Sequence, residues 1–301
     1  MEPSLQVSVI VPTYNRGEML RAALESVLAQ TVPVGEIVVV DDGSTDDTHA
    51  IVESLAARDE RAHVLYLGGE HTNRRGEVRN RGVAASSGDL LAFLDSDDLW
   101  KPERIERQLS ALSRAPQAGF AFCNVQRFDE NGPIGPPCLS PAARYDGRIL
   151  GDMLEEPLAV SSTLLVRRQV FQDVGSFRDL RMNEDYELTL RLAAHSPANY
   201  VPDTLVLMRE HPGRVSRSER EMPLLDYISI VEGFLAENPG LPTDVRARGR
   251  RGLANVRLKL ARLYTELGDR TAAREQLQAV IKLRPWDRHA LSAYLRSLAP
   301  A

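Results

Sequence analysis

Three carboxylates stand within four positions at Asp95-Ser96-Asp97-Asp98, directly after the apolar run Leu90–Leu94 and before Leu99-Trp100. Carboxylates packed this closely repel one another and hold protons more tightly unless a cation neutralises them. A hard divalent ion such as Mg²⁺ or Mn²⁺ is the usual solution, because it takes oxygen ligands and shares its shell with substrate phosphates. The bland alternative is that these aspartates cap the next helix and keep a turn solvated. Taken alone, the tetrapeptide weighs the two readings about equally. A second acidic group, Asp41-Asp42-Gly43-Ser44, follows another apolar run. A third, Glu184-Asp185, opens an amphipathic stretch, where acidic residues also serve a helix simply by facing its positive end. His211 stands in a polar loop, where a lone histidine is more often a surface residue than a ligand.

The elements that would carry these groups alternate. Val7–Val11, Glu36–Val40, His63–Leu67 and Leu90–Leu94 read as strands; the continuous hydrophobicity of the first, second and fourth marks burial on both faces of a mostly parallel sheet. Leu20, Ala23, Leu24, Val27 and Leu28 recur at helical spacing over about residues 18–30, and further helices are expected toward Ala57 and over Val78–Ala85. Strand–helix alternation of this kind builds a right-handed α/β sheet whose ligands sit beyond the carboxyl ends of the strands. Both aspartate clusters fall at such ends. Neither a Gly-x-Gly-x-x-Gly turn nor a Gly-Lys-Ser/Thr phosphate loop is present, so dinucleotide and P-loop readings lack their mechanism.

Downstream, a helix is expected from about Lys101 to Arg114, a strand over Gly119–Phe128 with a hairpin turn at Asp129–Gly132, and a strand over Ser161–Val166. A short helix from Arg168 stops at Gly175, another begins at Asn183–Tyr186, and a last strand covers about Tyr200–Met208 before the loop Arg209–Ser216. Past the linker Pro239-Gly240-Leu241-Pro242 the chain reads as all helical. There Tyr264, Leu267-Gly268, Ala273, Leu277 and Pro285 match one tetratricopeptide-like repeat. The expected division is a catalytic domain over 1–240, with a nucleotide-binding half to about 100 and an acceptor-side half over about 101–220, and a helical tail over 241–301.

The 301 residues, 43% hydrophobic and 26% charged, suit a soluble globular protein. No apolar run approaches the ~20 residues that span a bilayer. The first residues lack the pattern of a signal peptide, and Cys123 and Cys138 form no disulfide framework, so a cytoplasmic location is expected. The net charge of −5 hides an asymmetry: Leu241–Ala301 holds 13 Lys+Arg against 5 Asp+Glu, and the preceding 240 residues hold 24 against 37. The basic tail reads either as a surface for anionic lipid or glycan at the inner face of the cell membrane, or as a solvated helical face whose arginine stems cover apolar surface. The second is slightly favoured. No nucleic-acid partner is expected, and a lone repeat leaves a homo-oligomer open.

Five motifs occur in order: Val7–Arg16 (VSVIVPTYNR), Val38–Asp47 (VVVDDGSTDD), Arg79–Gly88 (RNRGVAASSG), Phe93–Trp100 (FLDSDDLW) and Asn183–Tyr186 (NEDY). Together they resemble the family 2 inverting glycosyltransferases, over roughly residues 5 to 220. The resemblance implies the A-type glycosyltransferase (nucleotide-diphospho-sugar transferase) fold, an α/β fold with a mostly parallel central sheet flanked by helices, here with an all-α C-terminal extension. It also implies a nucleotide-sugar donor, with UDP the first choice of carrier, and a saccharide or lipid-linked acceptor in cell-surface polysaccharide synthesis. Carried onto matching positions, Pro12, Thr13, Tyr14 and Asn15 would line the nucleotide, with Tyr14 against the base and Asp42 accepting from the base edge. Asp95 would lie near the ribose, Ser96 and Arg79 would approach the nucleotide, and Asp97 with His211 would hold Mn²⁺ or Mg²⁺. Asp185 matches the general base and Glu184 its supporting neighbour.

Two other readings compete. Haloacid dehalogenase-like phosphohydrolases also place Asp-x-Asp after an apolar strand, but normally the first strand, and with Thr or Val where Leu99 stands. A non-catalytic nucleotide-binding or scaffold protein could work through the helical tail, although every candidate catalytic carboxylate is present. Metal-dependent release of a nucleoside diphosphate from a sugar nucleotide separates the readings.

Overall fold

The computed structural model describes residues 5–57, 63–140, 142–211, 220–286 and 288–298. The contacts divide the chain into two units, residues 1–149 with 158–211, and residues 150–157 with 212–301. The expected boundary near residue 240 falls inside the second unit.

In the first unit, β1 (Val7–Thr13), β2 (Glu36–Asp41), β3 (His63–Leu67) and β4 (Leu90–Phe93) alternate with α1 (Gly17–Leu28), α2 (Thr48–Ala56) and α3 (Arg75–Ala85). β1 pairs in parallel with β2 on one side and β4 on the other, and β2 pairs in parallel with β3. The chain steps outward to β3 and then returns across β1, so a topological switch point lies between β1 and β4, where open α/β sheets take their ligands. Val9, Ile10 and Val11 of β1 and Ile37–Val40 of β2 are fully buried, as continuous apolar strands require. Helix α1 buries Leu20, Ala23, Leu24 and Val27, the stripe expected from its spacing. Gly82 lets α3 lie close on the sheet, since a Cβ there would stand 2.5 Å from Ile10 Cγ2.

The sheet continues through β5 (Leu99–Trp100), β6 (Phe120–Asp129), β7 (Gly132–Pro133), β8 (Leu165–Arg167) and β9 (Ala198–Arg209), in the order β3-β2-β1-β4-β8-β6-β9-β5, with β7 beside β6. β8 runs antiparallel to both β4 and β6, and β5 antiparallel to β9. The hairpin at Asp129–Gly132 forms as expected, with Gly132 at φ +113°. The expected strand over Ser161–Val166 is corrected: Ser161–Thr163 is a 3₁₀ turn, and pairing begins only at Leu165. Helices α4 (Arg104–Arg114), α6 (Arg168–Val174) and α7 (Glu184–His195) complete this unit.

The second unit is helical: α5 (Leu150–Glu155), α8 (Met222–Glu237), α9 (Thr243–Glu266), α10 (Arg270–Leu283) and α11 (Arg288–Leu298). Gly252 admits α5 closely, because a Cβ there would stand 2.3 Å from Leu154 O. The Tyr227 hydroxyl donates to the same carbonyl at 2.8 Å. Ala254, Ala261, Leu277, Val280 and Ala290 form this unit's own apolar cluster. The tail therefore packs on α5 and α8. Among the described residues, no helix is long and apolar enough to cross a membrane.

Candidate active site

The carboxyl ends of β1, β2 and β4 carry the first, second and fourth motifs, α3 carries the third and α7 the fifth. Asn15, at φ 48°, turns the chain after β1 in a backbone region that asparagine tolerates. Its N–H donates to Ser44 Oγ at 2.8 Å, and its Oδ1 accepts from the Thr45 N–H at 2.8 Å, which ties the β1 loop to the β2 loop. Gly43, at φ +86°, lets the β2 turn approach the loop after β3. Asp42 is buried there, and its two side-chain oxygens accept from the N–H and hydroxyl of Thr72 and the N–H of Asn73, while His71 Nδ1 hydrogen-bonds the Asp42 backbone carbonyl at 3.1 Å and lies 2.9 Å from Oδ2. A carboxylate has about four acceptor positions, and this loop uses three of them. His71 also stacks on Tyr14, with ring centroids 3.9 Å apart and planes at 13°.

Arg79 sits beneath the site. It is 3% exposed, and α3 aims its guanidinium at two carboxylates: Nη1 donates to Glu184 at 2.5 Å and Nη2 to Asp95 at 2.6 Å. The sequence reading brings Arg79 toward the nucleotide; in the structure its charge faces inward and joins the β4 loop to α7. Ser96, 2% exposed, is likewise turned into the fold, as is Thr13 at 4%, so neither offers its hydroxyl freely to a ligand. Pro12 is half-buried at the end of β1. Burial pushes the Asp95 carboxyl up, but the neighbouring Arg79 charge and hydrogen bond outweigh it and hold the group below the usual aspartate range.

Asn183, at φ 58°, turns the chain sharply before α7, so that Glu184 and Asp185 open the helix facing the sheet. Asp185 Oδ2 accepts from the Ser161 N–H at 3.0 Å. Its carboxyl is pushed up to about 6, first by burial and then by the adjacent Glu184 charge. A carboxylate with that proton affinity suits a general base near neutral pH.

Asp97 faces the other way. Its Oδ2 accepts from Arg16 Nη1 at 2.7 Å and lies 3.0 Å from His211 Nε2, with both the aspartate and histidine side chains mostly buried. The Asp97 oxygen and the His211 nitrogen thus touch each other beside the Arg16 charge, and an ion held by both would take the place of that contact. Among the described residues, no group of three or more metal-ligating side chains gathers. Two protein ligands completed by phosphate oxygens and water fit Mg²⁺ or Mn²⁺. The expected loop beyond His211 lies outside the described residues.

Several residues in this site were not singled out from the sequence. Asp98 Oδ1 accepts from the Arg209 N–H at 3.2 Å and Oδ2 from the Ser162 hydroxyl at 2.7 Å, so it ties the end of β9, and with it His211, to the turn before β8. Arg209 Nε donates to Asp97 O at 3.1 Å. The Ser161 hydroxyl lies 3.2 Å from Asp95 Oδ1. Asp98 carried a signal as the third acid of the cluster, and Arg16 closes the first motif. Ser161 and Ser162 looked like strand residues.

The family model described as glycosyl transferase family 2 matches residues 8–175, more than half of the chain. The chain belongs to this family. A glycosyltransferase of Rickettsia prowazekii, described as uncharacterized, is 30% identical over 235 residues, covering 76% of this chain and 71% of that protein. A Bacillus subtilis protein described as a putative teichuronic acid biosynthesis glycosyltransferase, TuaG, is 38% identical over 126 residues, covering 42% of this chain and 49% of its own. In three dimensions the chain is similar to S. aureus TarS in complex with UDP-GlcNAc, with TM-score 0.69 and 22% identity over 97% of this chain and 89% of that one. It is also similar to the mannosyltransferase PcManGT from Pyrobaculum calidifontis in complex with GDP-Man and Mn²⁺, with TM-score 0.67 and 19% identity over 99% and 81%. This family 2 glycosyltransferase therefore has the A-type fold expected from its motifs.

Proposed function

We propose that this glycosyltransferase moves a sugar from a UDP-sugar to a hydroxyl of a saccharide or lipid-linked acceptor, with a divalent ion and with inversion, in cell-surface polysaccharide synthesis. The observation that carries the reading is the convergence of Asp95 and Glu184 on the buried Arg79, which joins the loop that carries Asp97 to the helix start that carries Asp185. Asp97 and His211 would hold Mn²⁺ or Mg²⁺, and the bound ion would stabilise the charge that gathers on the departing diphosphate. Asp95 would face the ribose. Asp185 would take the proton from the attacking acceptor hydroxyl, held in place by Ser161 and by its neighbour Glu184. A single in-line displacement with one base inverts the anomeric centre. The UDP-GlcNAc held by TarS and the Mn²⁺ held with GDP-Man by PcManGT support the donor class and the ion, and the teichuronic acid role ascribed to TuaG supports the acceptor class.

Tyr14 would carry the nucleobase on its ring. Because the chain's own loop fills three of the acceptor positions on Asp42 and the His71 ring stands over Oδ2, a base-edge donor would take the place of His71, whose side chain can rotate away. The wet surface of the helical unit is reduced by internal ion pairs: Arg248 bonds Asp152 and Glu155, Arg251 bonds Glu155, and Arg257 bonds Glu232. These pairs support a tetratricopeptide-like appendage that packs within its own unit over one that binds lipid. A contact with the inner face of the membrane would then come through the acceptor.

The test is nucleoside diphosphate release from a panel of nucleotide sugars with and without Mn²⁺. Release only with metal is expected, and Asp185→Asn should abolish it while sparing donor binding. Equal loss of turnover and donor binding in that variant would overturn the assignment.

A further inference from the structure

The turn Ser161–Leu164 is gripped from below by polar side chains buried on what should be an apolar stripe. Arg104 and Gln108 of α4 are both 0% exposed. Arg104 has no carboxylate partner among the described residues, and burial pushes its guanidinium down to about 10. It lies over Trp100, 3.7 Å from the ring centroid, and donates from Nη2 to Leu164 O at 2.9 Å. Gln108 Nε2 donates to Thr163 O at 2.9 Å, and Trp100 Nε1 donates to Ser162 O at 3.1 Å. Three successive carbonyls are therefore each held by a different buried donor. Burying an arginine without a counter-charge is costly, and what it secures here is a turn with no freedom.

The other side of the same turn faces the carboxylates. The Ser161 N–H donates to Asp185, the Ser161 hydroxyl lies against Asp95, and the Ser162 hydroxyl donates to Asp98 while accepting from the Asp95 N–H at 3.1 Å. We infer that Ser161 is a positioning residue for Asp185: its backbone N–H, immobilised through the carbonyls that Trp100, Gln108 and Arg104 hold, fixes the carboxylate and favours its charged form. The inference rests on the reading of Asp185 as the base. The charged groups facing Asp185 are Glu184 of its own helix and Asp95 beyond β4, which both raise its proton affinity, and Arg79 of α3, which lowers it. A hydrogen bond donated to the charged form lowers it further.

The backbone allows that bond to be removed. Val160 is extended, at φ −115° and ψ 161°, the conformation a following proline demands, and Ser161 opens the turn, where proline's missing N–H breaks no helical bond. Ser161→Pro deletes the N–H and the hydroxyl; Ser161→Ala deletes the hydroxyl alone. Protein labelled with ¹³C at aspartate carboxyls reports each titration directly, with the Asp185 signal assigned by its absence in Asp185→Asn. The Asp185 midpoint should stay near the wild-type position in Ser161→Ala and rise by about one pH unit or more in Ser161→Pro. Should Ser161→Pro fail to fold, lactic acid in place of Ser161, introduced by nonsense suppression, differs from Ser161→Ala only by an ester oxygen for the N–H, and the same rise is expected. Equal midpoints in the N–H-deleted and alanine forms would overturn the inference and leave the base reading intact. Full turnover by Asp185→Asn would overturn the base reading and leave the titration result standing.

Discussion

The surroundings of Asp185 resist its charge, so Asp185→Asn should stabilise the fold and, in the proposed mechanism, remove activity. Burial and then Glu184 raise its carboxyl from 3.8 to about 6. A rise of about 2 units is worth about 3 kcal/mol against the charged form. Solvent reaches part of the group, so about half of that, ~1.5 kcal/mol, is the working figure. The sign follows from linkage. A carboxyl whose folded value is raised favours folding below its unfolded value of 3.8, and that contribution is lost as pH rises through about 6. Asparagine keeps an oxygen for the Ser161 N–H and carries no charge at any pH. The variant should therefore melt about 3–6 °C above wild type at about pH 8, a range appropriate to a unit of this size, with the gap closing toward about pH 4. Scanning calorimetry across that range is the assay. A variant less stable than wild type at the alkaline end, or a gap that ignores pH, would refute the reasoning.

Other perturbations follow from the same geometry. Asp97→Ala should remove the Mn²⁺ dependence of nucleotide binding in a calorimetric titration, because His211 alone cannot replace the lost carboxylate. Arg79→Met leaves Asp95 and the buried Glu184 without their cation and should cost about 3–5 kcal/mol in urea unfolding at neutral pH. His71→Ala uncovers Tyr14 and clears the ring that stands 2.9 Å from Asp42 Oδ2, so nucleotide affinity should rise by about 3–10-fold, the scale of one hydrogen bond gained; a fall would show that His71 itself holds the ligand. Turnover should fall as pH drops through about 6, where Asp185 takes up its proton, and this acid limb should be visible in nucleoside diphosphate release.

The half of the fold built from buried strands was legible, because continuous apolar runs such as Ile37–Val40 and Leu90–Leu94 are too short for a core helix and too apolar for a strand with a wet face. The site was legible as a set of carboxylates at strand ends, since spacing alone carries that much. Direction was not. The resemblance carries Arg79 toward the nucleotide, and only its ion pairs show that it points inward to Asp95 and Glu184. Ser161 and Ser162 read as strand residues because Leu164, Leu165 and Val166 follow them, and a 3₁₀ turn leaves no periodic trace that short. The contacts divide the chain elsewhere than residue 240 for a related reason: Leu150–Glu155 joins the distant helices through Tyr227 and Arg248, a pairing invisible to local composition.

The most direct test is calorimetric titration with UDP, dTDP and GDP, each with and without Mn²⁺. One nucleoside diphosphate, UDP first, is predicted to bind only when metal is present. Folded protein that binds none of them, or binds one equally well without metal, would contradict the metal-dependent donor site.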